Sequence, residues 1–260
     1  MTNGENGRWR SRYRKQIILK EVGLVGQGRI MRSSALVVGA GGLGGIVSIL
    51  LVRAGVGTVR IVDFDVVAED NLHRQLLFTE ADVKAHAPKA QAAAVALRAI
   101  NSTVQIEGIV ARADRQTLPD LVDGIGVVID AADNFETRDV INDVCLARNV
   151  PWIYGGVLGT AGALMAIVPR GGPCLRCLYP ILPDDDSLNT TTIVGVLNTL
   201  PTLIGSLQVT EALRMLVGEG ARPGRMVQFD PWHGETAAVT IPRDPRCPAC
   251  GMPSTPMRGS

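Results

Sequence analysis

Ala35-Leu36-Val37-Val38-Gly39-Ala40-Gly41-Gly42-Leu43-Gly44 is an apolar run that closes on glycines and leads into a helical stretch, and its reading decides the fold. A run without polar alternation is the mark of a strand covered on both faces. Glycines let the backbone turn tightly and approach a phosphate. The helix that follows offers free N–H groups and the positive end of its dipole. In this strand–turn–helix setting the motif indicates a nucleotide, and by itself it does not decide between NAD and ATP.

Outward from the turn the same alternation continues. Residues 59–64 (VRIVDF), 104–110, 127–131 and 152–155 read as strands, and residues 43–54, 88–100 and 136–148 as helices. Strands alternating with helices predict a Rossmann-like α/β fold, a mostly parallel sheet with helices on both faces. Residues 160–168, 225–229 and 237–241 read as strands without crossover helices between them, which predicts an antiparallel C-terminal extension. Residues 11–32 read as a helical arm, and residues 171–189, rich in Gly, Pro and Asp, as a long and partly mobile loop. Residues 193–217 read as a buried helix broken at Pro201.

Bulk composition narrows the class. The 260 residues carry a net charge of +1 and only 4% aromatics, so neither a nucleic-acid footprint nor a base-stacking module is expected. No run is apolar enough for a membrane span, and the polar, Arg-rich start has no signal-peptide core. Five cysteines in such a chain predict a cytoplasmic protein whose paired cysteines hold metal.

Two clusters carry the chemistry. Asp63 and Asp65 end one strand, and Asp70, Asn71, Arg74 and Gln75 follow; Lys89 starts a helix, and Asp133-Asn134 follow another strand. All of these loops fall at the carboxyl edge of one sheet, beside the glycine turn. There Asp63 can hold ribose hydroxyls. Hydride transfer has no need of an Arg, a Lys and several Asp around the phosphates, whereas nucleotidyl transfer does, because cations neutralise the developing charge and an Asp can hold magnesium. Taken singly, Arg74 and Lys89 would read as surface cations paired with Asp65 or Asp70. The second cluster is Cys174-Leu175-Arg176-Cys177 with Cys247-Pro248-Ala249-Cys250, two Cys-x-x-Cys pairs that predict a structural zinc site with a filled tetrahedral sphere. Cys145, within a predicted helix, reads as a buried apolar residue. The predicted organisation is a flexible tail (1–14), one domain (15–250) and a second flexible tail (251–260). Within the domain, residues 33–157 form the nucleotide half and 158–250 the zinc and substrate half.

With these motifs in hand, the chain resembles the MoeB/ThiF/HesA branch of the ubiquitin-activating-enzyme superfamily. The matching stretches are RYRKQIIL, GAGGLG, VDFDVVAEDNLHRQ, APKA, DAADN, CLRC, IGSLQVTEALRML and CPAC. The resemblance implies a homodimer that uses ATP, Mg2+ and Zn2+ to adenylate the C-terminal glycine of a ubiquitin-like sulfur carrier ending in Gly-Gly. It implies nucleotide contacts at Gly41, Gly42, Leu43, Gly44, Asp63 and Asp65, and at Asn71, Arg74, Gln75, Lys89, Asp133 and Asn134. Arg74, Lys89 and Asp133 become the catalytic residues, and Asp133 the magnesium ligand. Cys174, Cys177, Cys247 and Cys250 become the zinc ligands. Two departures stand out. Lys15 occupies the arm position where the family carries an Arg that reaches the partner's ATP. Thr191 stands where many relatives place a loop cysteine, so a thioester or acyl-persulfide at that position is excluded, and the chemistry would stop at the acyl-adenylate. Adenylation of a ribosomal peptide or small carboxylate is the alternative, and a silent scaffold the third reading, against which the intact Arg74, Lys89 and Asp133 weigh.

Overall fold

The computed structural model describes residues 3–183 and 191–251, with the backbone alone for residues 3–7, 191 and 192. The part of the loop reading at 184–189, the side chain of Thr191 and the tail reading for 252–260 lie outside the described residues. In chain order the elements are α1 (Asn3–Arg12), α2 (Arg14–Ile17), α3 (Gly23–Ile30), β1 (Ser34–Val38), α4 (Gly42–Ala54) and β2 (Thr58–Val62). After a 3-10 turn at Glu69–Asn71 come α5 (Glu80–Lys84), α6 (Lys89–Ile100), β3 (Gln105–Ile109), α7 (Leu118–Leu121), β4 (Val127–Asp130), α8 (Phe135–Arg148) and β5 (Trp152–Leu158). The last part holds β6 (Ala161–Ile167), α9 (Leu175–Leu178), α10 (Thr191–Val194), α11 (Thr199–Val217), β7 (Arg225–Asp230) and β8 (Glu235–Thr240).

Strand alternation explains the apolar runs. Ala35 and Val37 of β1 enter one core with Val59, Ile61, Val127, Ile129 and Ile153, beneath α4, α6 and α11. Leu36 and Val38 enter the opposite core with Val128, Trp152, Met165 and Ile167, beneath α7 and α8. Both faces of the central strands are therefore dry, and polar alternation is lost. The eight strands lie in the order β3-β2-β1-β4-β5-β6-β7-β8. Strands β1 to β5 pair in parallel, and β5 to β8 pair antiparallel. The predicted parallel sheet with an antiparallel extension is thus one continuous sheet. Chain order reverses between β1 and β4, which opens the crevice where α/β sheets bind ligands.

Several boundaries differ from the sequence reading. Residues 3–12 are helical where a tail was expected. The single arm of 11–32 is broken between α2 and α3, where Gly23 has φ +60°. Pro201 does not break its helix: it sits in the first turn of α11, where the missing N–H would have no intrahelical partner. The loop of 171–189 contains α9, and β8 begins two residues before the predicted strand.

Candidate active site

The glycine turn is shaped by close backbone contact. Gly39 has φ +98°, and a Cβ there would lie 2.6 Å from the Ala131 carbonyl oxygen. Gly44 packs so tightly on the Gly39 carbonyl that no Cβ fits. These contacts pinch the turn after β1 against the loop after β4. Both then face a cavity of about 1140 Å³ that extends across the carboxyl ends of the parallel strands to β7 and β8.

Asp63 accepts the Ala40 N–H (2.7 Å) and the Asp65 N–H (2.8 Å). Burial pushes its carboxyl above the usual carboxylate value, against the pull of both amides and of Lys89. Lys89 does pair with Asp65, its Nζ lying 2.9 Å from Asp65 Oδ2, but it is buried and not a surface cation, at 8% exposure. Its backbone N–H also donates to the Asp65 carbonyl at 2.8 Å, so the start of α6 is fastened to the end of the β2 loop. Arg74 donates through Nη1 to the Asp70 carbonyl (2.8 Å), and its outer donors have no carboxylate partner among the described residues. Asn71 Oδ1 and Gln75 Oε1 are buried in the same cavity without a hydrogen-bond partner among the described residues. Such orphans are costly unless a ligand meets them, and turning either amide over presents an N–H donor instead. The chemistry of the set fits a nucleotide: a carboxylate at Asp63 that could hold ribose hydroxyls, and cations at Arg74 and Lys89 that could hold phosphates.

Asp133 lies exposed on the cavity wall and accepts from Asn134 Nδ2 at 3.1 Å. Gly41, Gly42, Leu43, Asp65, Asn71 and Gln75 line the cavity too. Three predicted residues do not. Gly44 underlies the turn. Asn134 caps α8, accepting the Thr137 N–H at 2.8 Å. Lys15 lies exposed on α2, outside the cavity lining.

Sequence reasoning missed Arg138, which lines the cavity at 7% exposure. Its Nε meets the fully buried Asp130 at 3.0 Å, and Nη2 donates to the carbonyls of Ala132 (2.8 Å) and Gly155 (3.1 Å). The guanidinium also lies over the rings of Phe135 (5.0 Å) and Tyr154 (5.3 Å). Complete burial pushes the Asp130 carboxyl up, opposed by Arg138 and by the amides of Ala132 and Gly155. The one available signal was an Arg a single turn into the α8 sequence, close behind a buried strand ending in Asp.

The cysteines converge as expected. Cys174 Sγ lies 3.6 Å from Cys247 Sγ, and Cys177 Sγ 3.4 Å from Cys250 Sγ. All four sulfurs lie within 4.8 Å of one another. Tetrahedral zinc with Zn–S of about 2.3 Å requires sulfurs about 3.8 Å apart, so the set fits the metal. The knuckle is docked on α8: Leu175 N–H donates to Asn142 Oδ1 (3.0 Å), and Arg176 grips both oxygens of Asp139 at 2.8 and 2.9 Å. Tyr179, just past the knuckle, reaches the cavity wall, its ring 5.1 Å from that of Phe135. Cys145 is wholly buried, and desolvation pushes its thiol up, as suits a packing residue.

A family model described as the ThiF family matches residues 13–249. The chain belongs to that family. This ThiF-family chain is 41% identical over 241 residues to the SAMP-activating enzyme E1 of Haloferax volcanii, covering 92% of itself and 88% of that protein. It is 38% identical over 248 residues to the sulfur carrier protein ThiS adenylyltransferase of Bacillus subtilis, covering 94% and 73%. Among solved structures, Escherichia coli MccB superposes with a TM-score of 0.80 at 19% identity, over 96% of this chain and 74% of that one, and shares the fold. With the ThiF family comes the enzyme class, an adenylyltransferase. No helix among the described residues is long and apolar enough to cross a membrane.

Proposed function

We propose that this adenylyltransferase converts the C-terminal glycine carboxylate of a small ubiquitin-like sulfur carrier into its acyl-adenylate, releasing pyrophosphate. One observation carries the reading. A single cavity joins the nucleotide cluster of Asp63, Arg74 and Lys89 to a stretch lined by Gly156, Ala161, Gly162 and Ala163 of β5 and β6. Such lining admits an extended chain without large side chains, and it leads that chain's carboxylate toward the phosphates.

In the proposed reaction a carboxylate oxygen attacks the α-phosphorus of ATP in line. The bond from that phosphorus to the bridging oxygen breaks, and its electron pair leaves with pyrophosphate. Lys89 and Arg74 hold phosphate oxygens as charge builds on them, and Arg138 braces the wall behind the attacking group. Asp133 would hold Mg2+, which supplies further positive charge at the phosphates. No protein nucleophile is needed, in keeping with the lack of a cysteine between Cys177 and Cys247. The clustered thiols support Zn2+ as a structural ion, and free thiols support a reducing, cytoplasmic setting. Exposed Ile18, Leu19, Leu24 and Val25 beside Lys15 support a homodimer in which Lys15 serves the partner's nucleotide.

ATP–pyrophosphate exchange with Mg2+ tests the reading. Exchange that depends on a Gly-Gly-ended carrier is the expected result, and exchange driven by a short precursor peptide alone would move the substrate to ribosomal peptides. Lys89→Ala and Asp133→Ala are each expected to lower the exchange rate by about 10²–10³-fold, the usual cost of removing a group aimed at transition-state charge. Full activity in Asp133→Ala would remove its magnesium role.

A further inference from the structure

The sheet treats its two edges differently. At β3, Arg98 Nη2 takes the Ile106 carbonyl (2.9 Å), and Arg60 pairs with Glu107 at 2.7 Å, so the edge is occupied by charge. At β8 every residue from Glu235 to Thr240 is exposed. The stretch contains no Pro, Lys or Arg, and exposed Trp232 and Val239 add apolar surface to the hairpin. An edge left without proline, lysine or arginine is a template for a further strand, and most proteins guard theirs.

Backbone alternation tells which groups are on offer. Ile241 N–H donates to the Gly224 carbonyl (2.7 Å), so residues 224 and 241 form a hydrogen-bonded pair. Such pairs alternate along an antiparallel ladder. The register Met226↔Val239, Gln228↔Ala237 and Asp230↔Glu235 therefore uses the inward groups of β8. The N–H and C=O groups of Thr236, Ala238 and Thr240 point away from β7, toward the open edge.

We propose that the free edge of β8 receives an extended strand of the polypeptide substrate, added antiparallel to β8 so that its C-terminal end arrives beside Glu235. Direction follows from the cavity. Glu235, Thr236 and Ala237 line it while the far end of β8 leads away, so only a strand running toward Glu235 delivers its carboxyl terminus to the phosphates. Main-chain bonds then hold the substrate and leave its terminal residues free to enter the glycine- and alanine-lined stretch. This inference rests on a polypeptide being the acyl substrate.

The test variant is Ala238→Pro. It removes an outward N–H while sparing the bonds to β7, the one way an edge strand tolerates proline. The probes are the Bacillus subtilis sulfur carrier protein ThiS, folded, and a synthetic peptide copying only its C-terminal tail. Expected is a rise of at least about tenfold in KM for ThiS with kcat retained (about 1.4 kcal/mol) and unchanged kinetics with the peptide. An unchanged KM for ThiS overturns the edge. Hydrogen exchange on the wild-type chain separates this inference from the adenylation reading. Protection of the Thr236, Ala238 and Thr240 amides by ThiS without pyrophosphate exchange keeps the edge and sinks adenylation. Exchange activity without that protection sinks the edge, as does protection that appears without ThiS and grows with protein concentration, which would give the edge to a second copy of this chain. Loss of both signals sinks both.

Discussion

Arg138→Met is expected to destabilise the protein by about 3–5 kcal/mol, the cost of leaving a buried charge without its partner. Asp130 is fully buried, and its only side-chain counter-ion among the described residues is the Arg138 guanidinium at 3.0 Å. The same side chain bridges the Ala132 and Gly155 carbonyls, so it fastens the loop carrying Asp133 to β5. Methionine keeps most of the volume and none of these bonds. At roughly 2–4 °C per kcal/mol for a chain of this size, the melting temperature should fall by about 6–20 °C. Adding Asp130→Asn to Arg138→Met should recover part of that loss, because the uncompensated charge is then gone. A melting temperature equal to wild type in the single variant would show that the pair is structurally idle.

Removing metal from the cysteine knuckle should cost at least as much. Cys174 and Cys247 lie within the core that also holds Leu36, Val128, Trp152 and Met165, so the site is continuous with the sheet's packing. A metal held about 10⁴-fold more tightly than its free concentration stabilises the folded state by about 5.5 kcal/mol through mass action. Zinc-finger affinities reach beyond that figure. Chelation, or Cys247→Ser, is therefore expected to lower the melting temperature by more than about 10 °C, with one zinc per chain measured by plasma emission before treatment. Because Tyr179 follows directly on the knuckle, the cavity wall near Phe135 should loosen in the stripped protein, read as faster hydrogen exchange across residues 175–179. Identical melting with and without chelator would leave the four thiols as mere packing.

The central strands were legible in the sequence because both of their faces are buried. Residues 35–38, 59–62 and 127–130 are unbroken apolar runs apart from Arg60 and Asp130, and no amphipathic helix gives that pattern. The cysteine cluster was legible for a different reason: thiol pairs at fixed spacing have few other uses in a chain of this composition. Boundaries that depend on backbone torsion were not. The break in the N-terminal arm turns on a positive φ at Gly23, and local hydrophobicity carries no trace of it. Pro201 looked like an interruption because its place relative to the helix start is fixed by where α11 begins, which residues 193–200 do not announce. Arg138 escaped notice since its partners, Asp130, Ala132 and Gly155, come together only when β4 and β5 lie side by side. Asn134 was read as a nucleotide contact because it adjoins Asp133, yet cap geometry turns it back on its own helix.

The knuckle has a mechanical side. Its two halves are 73 residues apart in the chain, and the closed stretch contains α11 and the β7–β8 hairpin. An unfoldase that pulls on the chain beyond Cys250 meets this clasp before it can peel any strand from the sheet. Tension is routed into α8 through Arg176 and Asp139 instead of along the exposed edge of β8. The chain should accordingly resist a pull applied beyond Cys250 far better when metal is bound than when it is stripped, which makes the lifetime of the protein in a degradative machine a function of metal supply.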